Sequence, residues 1–203
     1  MGRTKAKTHH QPDCNSCGPA SLKTALEILN TRKSLDKLIE LCQTTRNGTP
    51  VARLVKAANK LGFSALYVRW ADLRHVLRVL KHTPQKPLAA IVNYLYDLDY
   101  NQEPEEDSGH YATIATYSSR NSRITLFDSN SGKRKSYSWI DFQNRWYDFE
   151  YRRKKRGVSK TWFKITKNWH NRPLLILAKD PSHLPHFQIK SQKLYLAPAK
   201  ISQ

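Results

Sequence analysis

At 203 residues the chain has room for one medium domain with, at most, an appended tail. Its 39% hydrophobic and 10% aromatic content supplies a real core and excludes wholesale disorder. The 35 lysines and arginines against 16 acidic residues leave a net charge of +19, which attracts nucleic acid, anionic lipid or acidic protein non-specifically without defining a function.

Residues 1–10 read as a basic N-terminal arm, polar and with no apolar stretch behind it, so no signal peptide is expected. Apolar runs such as Leu88 to Val92 are far too short to span a bilayer. Three cysteines, an odd number, argue against a disulfide framework and fit a reducing compartment, so a cytoplasmic location is expected. A first helix is predicted from about Pro19 to Asn30, because Leu22, Ala25, Leu26 and Leu29 recur at helical spacing. Ser34 is a good N-cap for a second, which aligns Leu35, Leu38, Ile39 and Cys42; Cys42 reads as a core thiol. Thr49-Pro50 opens a third helix with Val51, Leu54, Val55 and Ala58 on one face, and Gly62 ends it.

Phe63 to Trp70 reads as a strand, and a fourth helix follows from about Asp72, leaving His75 and His82 off its apolar face as solvated surface residues. Pro87 to Leu95 is a further strand. The loop from Tyr96 to Gly109 gathers Asp97, Asp99, Glu103, Glu105, Glu106 and Asp107, a solvated acid run without the spacing of a calcium loop. Three strands are then predicted at His110 to Tyr117, Arg123 to Phe127 and Lys133 to Tyr137. Ser138 opens a short helix that buries Trp139, Phe142 and Trp146. After Asp148 the organisation weakens into a basic, aromatic stretch, Arg152-Arg153-Lys154-Lys155-Arg156 with Lys160, Lys164 and Lys167 among Trp162, Phe163 and Trp169. Leu174 to Ala178 is one more core strand, and beyond Pro181 a sparsely apolar tail or edge extension is expected.

Chemistry concentrates in Gln11-Pro12-Asp13-Cys14-Asn15-Ser16-Cys17-Gly18-Pro19. Cys17 stands where loop gives way to helix, facing unpaired N–H groups and the positive end of the dipole, a setting that favours the reactive thiolate. Gln11, six residues upstream, is placed to offer a side-chain amide beside the sulfur. A nucleophilic cysteine needs a base and the base an orienting partner. His110 and Asp128 fit, because a hairpin folded about Ser119 pairs positions summing to about 238 and sets the two opposite each other, with Cβ atoms within ~5.5 Å.

Cys14 and Cys17 also form a C-x-x-C pair with His10 nearby. No strand precedes it and no second ligand pair completes a zinc site, so neither a redox module nor a metal is expected, nor any other cofactor. A reversible Cys14–Cys17 disulfide would shut the nucleophile off.

Gln11 followed by Cys17-Gly18-Pro19-Ala20-Ser21-Leu22, Gly109-His110-Tyr111 leading a strand, and Asp128 ending the next resemble the papain-like cysteine peptidases that remove double-glycine leaders from bacteriocin-type peptides. The resemblance covers about residues 8 to 180. It implies an α+β papain-like fold with N-terminal helices packed on a C-terminal antiparallel sheet, in a peptidase domain over 11–180; family members often sit at the front of a membrane exporter with an ATPase domain, whereas a stand-alone domain is expected here. It also implies a peptide or protein substrate, with Cys17 as nucleophile, His110 as base, Asp128 as orienter and Gln11 as oxyanion donor. The family usually carries proline after the Asp, where this chain has Ser129. Two other readings stand beside it: a basic nucleic-acid-binding protein, or one drawn to anionic surfaces, through residues 152–172, and an inactive papain-like domain kept for peptide binding.

Overall fold

The computed structural model describes residues 6–101, 103–105, 108–155 and 163–198, with the backbone alone for 150–155 and 163–166. Three helices come first: α1 (Cys17–Ile28), α2 (Leu35–Cys42) and α3 (Val51–Lys60). Each starts or stops where the local chemistry directs. The Ser34 hydroxyl accepts from the Lys37 N–H at the head of α2, Pro50 caps α3, and Gly62 leaves α3 at φ +84°, a conformation open to glycine without strain. Strand β1 (Ser64–Val68) leads to α4 (Leu73–Leu80) and β2 (Ala89–Leu95). A meander of β3 (Gly109–Ser118), β4 (Arg123–Asp128) and β5 (Lys133–Ser138) runs into the short helix α5 (Trp139–Arg145). Strands β6 (Tyr147–Lys155), β7 (Phe163–Asn171), β8 (Leu174–Ala178) and β9 (Gln192–Tyr195) complete the chain, with a single 3-10 turn at Pro181–His183 before the last.

Seven strands form one antiparallel sheet in the order β5-β4-β3-β2-β8-β1-β9. Its two faces follow from the period-2 alternation of side chains. Ala65, Ala89, Ile91, Leu175 and Leu177 join α1, α2 and α3 in one core. Their alternate neighbours Leu66, Val68, Ala90, Val92, Leu174 and Ile176 pack with Val76 and Val79 of α4 and Phe142 and Trp146 of α5 in the other. Covered on both sides, β2 and β8 have no need of a polar face, which explains their nearly unbroken apolar runs. The sheet thus draws β1 and β2 from the helical half, and α4 covers the face opposite α1–α3.

Two expectations are corrected. His75 is buried rather than solvated: it sits at the third position of α4, where its ring Nδ1 lies 2.7 Å from Asp72 Oδ1 and 3.0 Å from the Asp72 backbone N–H in a capping box, and it meets the Phe187 ring edge-on. The stretch after Asp148 is not without organisation: β6 and β7 pair antiparallel, with Tyr147 opposite Asn171 and Phe149 opposite Trp169. The missed signal is the alternation Tyr147, Phe149, Tyr151, masked by its charged neighbours. Beyond Pro181 the chain runs along the edge of the sheet: β9 pairs with β1, Ser191 exchanges hydrogen bonds with Arg69, and Leu184, Phe187 and Ile189 rest on the core. Arg156, Lys160 and Trp162 of the basic run, Glu106 and Asp107 of the acid run, and the first five residues of the arm lie outside the described residues.

Candidate active site

Cys17 is the first residue of α1 and is 6% exposed. Gly18 behind it allows α1 to close on α3, since a Cβ there would meet the Thr49 Cβ at 3.1 Å. The helix is then bolted to β3: Ser21 Oγ donates to the Tyr111 carbonyl and Thr113 Oγ1 to the Ser21 carbonyl, both at 2.8 Å. Those two bonds fix the distance between the head of α1 and the start of β3, where His110 lies.

His110 is buried, with Tyr94 and Tyr96 packed against its ring at 5.8 and 4.8 Å between centroids. Its Nε2 is 3.0 Å from Asp128 Oδ1, which leaves Nδ1 for the Cys17 thiol, the ring's other hydrogen-bond partner. The two residues are diagonal rather than opposite. Thr113 pairs with Phe127 and Ile114 with Leu126, a register that carried one step further sets Asp128 against Ala112. His110 lies two residues on, on the same face, within diagonal reach.

Asp128 is completely buried, and a buried carboxylate is tolerable only when its lone pairs are satisfied. Oδ1 takes His110 Nε2 and the Asn130 N–H; Oδ2 takes Tyr96 Oη–H at 3.1 Å, Ser131 Oγ–H at 2.6 Å and the Ser131 N–H at 3.2 Å. Burial alone would raise this carboxyl, but the hydrogen bonds from His110 and Ser131, with the charge of the ring, hold it well below the usual carboxylate range. Burial likewise disfavours a charged His110, yet its bonds to Asp128 and Cys17 outweigh that and raise the imidazole to about 9. Tyr96, Ser131 and the buried Arg145, which donates to the Tyr96 carbonyl at 2.9 Å, carried no periodic signal that would have marked them. Only the Asp-x-x-Ser spacing of a side-chain-closed turn hinted at Ser131.

Gln11 is buried beside the same turn. Its Nε2 donates to the Asp13 carbonyl at 2.8 Å and its Oε1 accepts from Ser129 Oγ–H at 2.8 Å. Asp13 in turn accepts from the Asn15 N–H and the Ser16 hydroxyl, closing the loop that delivers Cys17. All four residues singled out from the sequence therefore lie on converging segments. Cys14 is exposed and Cys42 is fully buried, its thiol pushed up to about 12 by that burial. A small, largely apolar depression lies beside Tyr111, walled by Val51, Tyr67, Ile91, Leu175 and His170, whose Nδ1 meets Tyr67 Oη at 2.8 Å. Within the basic stretch 152–172, side chains are described from Lys167 onward, and Lys167 lies 4.4 Å from the Phe149 ring centroid. Asp99 closes the acidic loop on itself by accepting from the Asn101 and Glu103 N–H groups. Among the described residues no helix is long and apolar enough to cross a membrane.

A helix carrying Cys at its head, laid across an antiparallel sheet that carries His and Asp on adjacent strands, is the architecture of the papain-like peptidases. Residues 5–150 match the model of the Peptidase C39 family, and the chain belongs to that family. It is 32% identical over 120 residues to an uncharacterized protein of Methanothermobacter marburgensis, covering 58% of this chain and 68% of that protein. Its fold is similar to the peptidase domain of Streptococcus ComA, a bi-functional ABC transporter involved in quorum sensing (TM-score 0.58, 23% identity, 85% of this chain and 98% of that one). It is also similar to a double glycine motif protease from an AMS/PCAT transporter solved in complex with a leader peptide (TM-score 0.57, 15% identity, 88% and 94%).

Proposed function

We propose that this protein is a cysteine peptidase that cleaves a peptide substrate of the double-glycine leader type, with Cys17 as nucleophile, His110 as acid and base, Asp128 as orienter and Gln11 as oxyanion donor. The observation that carries the reading is the His110 ring, bonded through Nε2 to a fully satisfied Asp128 and in contact with Cys17 at the head of α1. With His110 held as imidazolium at neutral pH, the Cys17 thiolate attacks the scissile carbonyl carbon, and the carbonyl π pair moves onto oxygen. The Cys17 N–H and Gln11 Nε2–H receive that oxyanion. As the intermediate collapses, the C–N bond breaks and His110 gives its proton to the leaving amine. His110, now neutral, takes a proton from water, whose oxygen attacks the thioester; Cys17 leaves as thiolate and the carboxyl product departs.

The test is cleavage of synthetic leader peptides ending in Gly-Gly, followed by mass spectrometry. Cys17→Ala is expected to abolish cleavage while preserving the thermal midpoint, and iodoacetamide at pH 8 is expected to label Cys17 and exposed Cys14 while sparing Cys42. Cleavage that survives Cys17→Ala would overturn the reading.

A further inference from the structure

Ser129 follows Asp128 directly and is 2% exposed. It grips Gln11 at two points: its Oγ–H donates to Gln11 Oε1 at 2.8 Å, and its carbonyl accepts from the Gln11 backbone N–H at 3.0 Å. A carboxamide has two similar ends, and the wrong one presented to an oxyanion would repel it. The orientation here is settled by chemistry. The Asp13 carbonyl can only accept, so the end of Gln11 facing it at 2.8 Å is nitrogen. The other end is then oxygen, and Ser129 supplies the donor that this buried oxygen needs. Asp13 uses one of the two Nε2 hydrogens, and the second remains for a substrate oxygen.

We propose that Ser129 is a positioning residue that sets the Gln11 amide for oxyanion stabilisation, a role that rests on the reading of Gln11 as oxyanion donor. It also gives a meaning to the serine found where the Asp-Pro pattern would place a residue with no hydroxyl. The turn after β4 thereby serves both halves of the site: Asp128 and Ser131 hold the imidazole, and Ser129 holds the amide. Because the oxyanion develops in the transition state and the tetrahedral intermediate and is absent from the bound substrate, losing the clamp lowers kcat and leaves KM nearly unchanged.

Steady-state kinetics on a leader peptide test this with Ser129→Ala, Ser129→Thr, Gln11→Ala and the Gln11→Ala/Ser129→Ala pair. Gln11→Ala is expected to lower kcat by ~10²-fold and Ser129→Ala by roughly 10-fold, with KM within about twofold. The pair is expected to be no slower than Gln11→Ala alone, since both changes remove one device. Ser129→Thr, which keeps the hydroxyl, restores kcat. The rate of Cys17 alkylation, which involves no oxyanion, stays unchanged in Ser129→Ala. If that variant does not fold, Ser129→Cys keeps the volume with a weaker donor and gives an intermediate kcat. Wild-type kcat in Ser129→Ala or Ser129→Cys beside a slow Gln11→Ala, or full additivity in the pair, overturns the clamp alone. Wild-type kcat in Gln11→Ala overturns the oxyanion role and the clamp with it, and cleavage by Cys17→Ala overturns the peptidase reading beneath both.

Discussion

His110, the proposed base, also ties folding to pH. Its folded-state value of about 9 lies above the ordinary 6.5, so the folded protein binds a proton more tightly than the unfolded chain does. The resulting stabilisation is complete below pH 6.5 and is lost as pH rises through about 9. Its ceiling is about 3 kcal/mol. Asp128 works in the opposite direction, because its carboxyl is depressed. Its contribution is present above pH 3.8 and disappears as pH falls below that. Urea unfolding between pH 6 and 10 is therefore expected to show a falling stability limb that His110→Gln flattens, while the acid limb persists. An alkaline limb unchanged by His110→Gln would show that some other group titrates there.

At the scale of elements, the site depends on how closely β3 approaches the β6–β7 pair. Gly109 precedes His110, and a Cβ at that position would lie 2.7 Å from Asp148 Oδ1 and 3.0 Å from its Cγ. Asp148 cannot swing away freely, since it accepts a short hydrogen bond from the Asn93 amide on β2. Gly109→Ala is expected to cost about 1–3 kcal/mol of stability through overpacking. It is also expected to lower activity at least ~10-fold by displacing the imidazole. The same change made in an Asp148→Ala background is expected to cost much less, because the atoms in conflict are gone. Equal costs in the two backgrounds, read from thermal melts and kinetics, would place the strain elsewhere.

For the molecule as a whole, the last segment supplies the strand that covers β1 at the sheet's edge. Without β9 the backbone of β1 would be an open edge, and Leu184, Phe187 and Ile189 would leave the α4 side of the core uncovered. Truncation before Pro181 is expected to lower the thermal midpoint by about 10 °C, as a loss on the order of 3 kcal/mol does for a domain of this size. It is also expected to promote aggregation through the exposed edge. A midpoint within one or two degrees of the full chain would make residues 181–203 an appendage.

Short-range physics made much of this readable from the sequence. Apolar spacing located α1 to α4, the hydroxyl N-caps at Ser34 and Ser138 marked helix starts, and the loop-to-helix junction placed Cys17 at a helix head. The same local signals put His110 and Asp128 on successive strands, because a hairpin brings neighbours in sequence together whatever the rest of the chain does. Tertiary structure decided what local preference leaves degenerate. The register fell about two residues from the simple hairpin count, because the turn is centred later and a bulge interrupts the ladder between Ile114 and Thr116. The insertion of β8 between β2 and β1 depends on burying two apolar faces at once. The β6–β7 ladder holds strands too charged to announce themselves. His75 is buried because Phe187, more than a hundred residues away, covers it. The bond between Ser129 and Gln11 spans 118 residues and exists only because two loops meet at the sheet's end. A hydroxyl and an amide have no local reason to find each other; the packing of the whole chain places them.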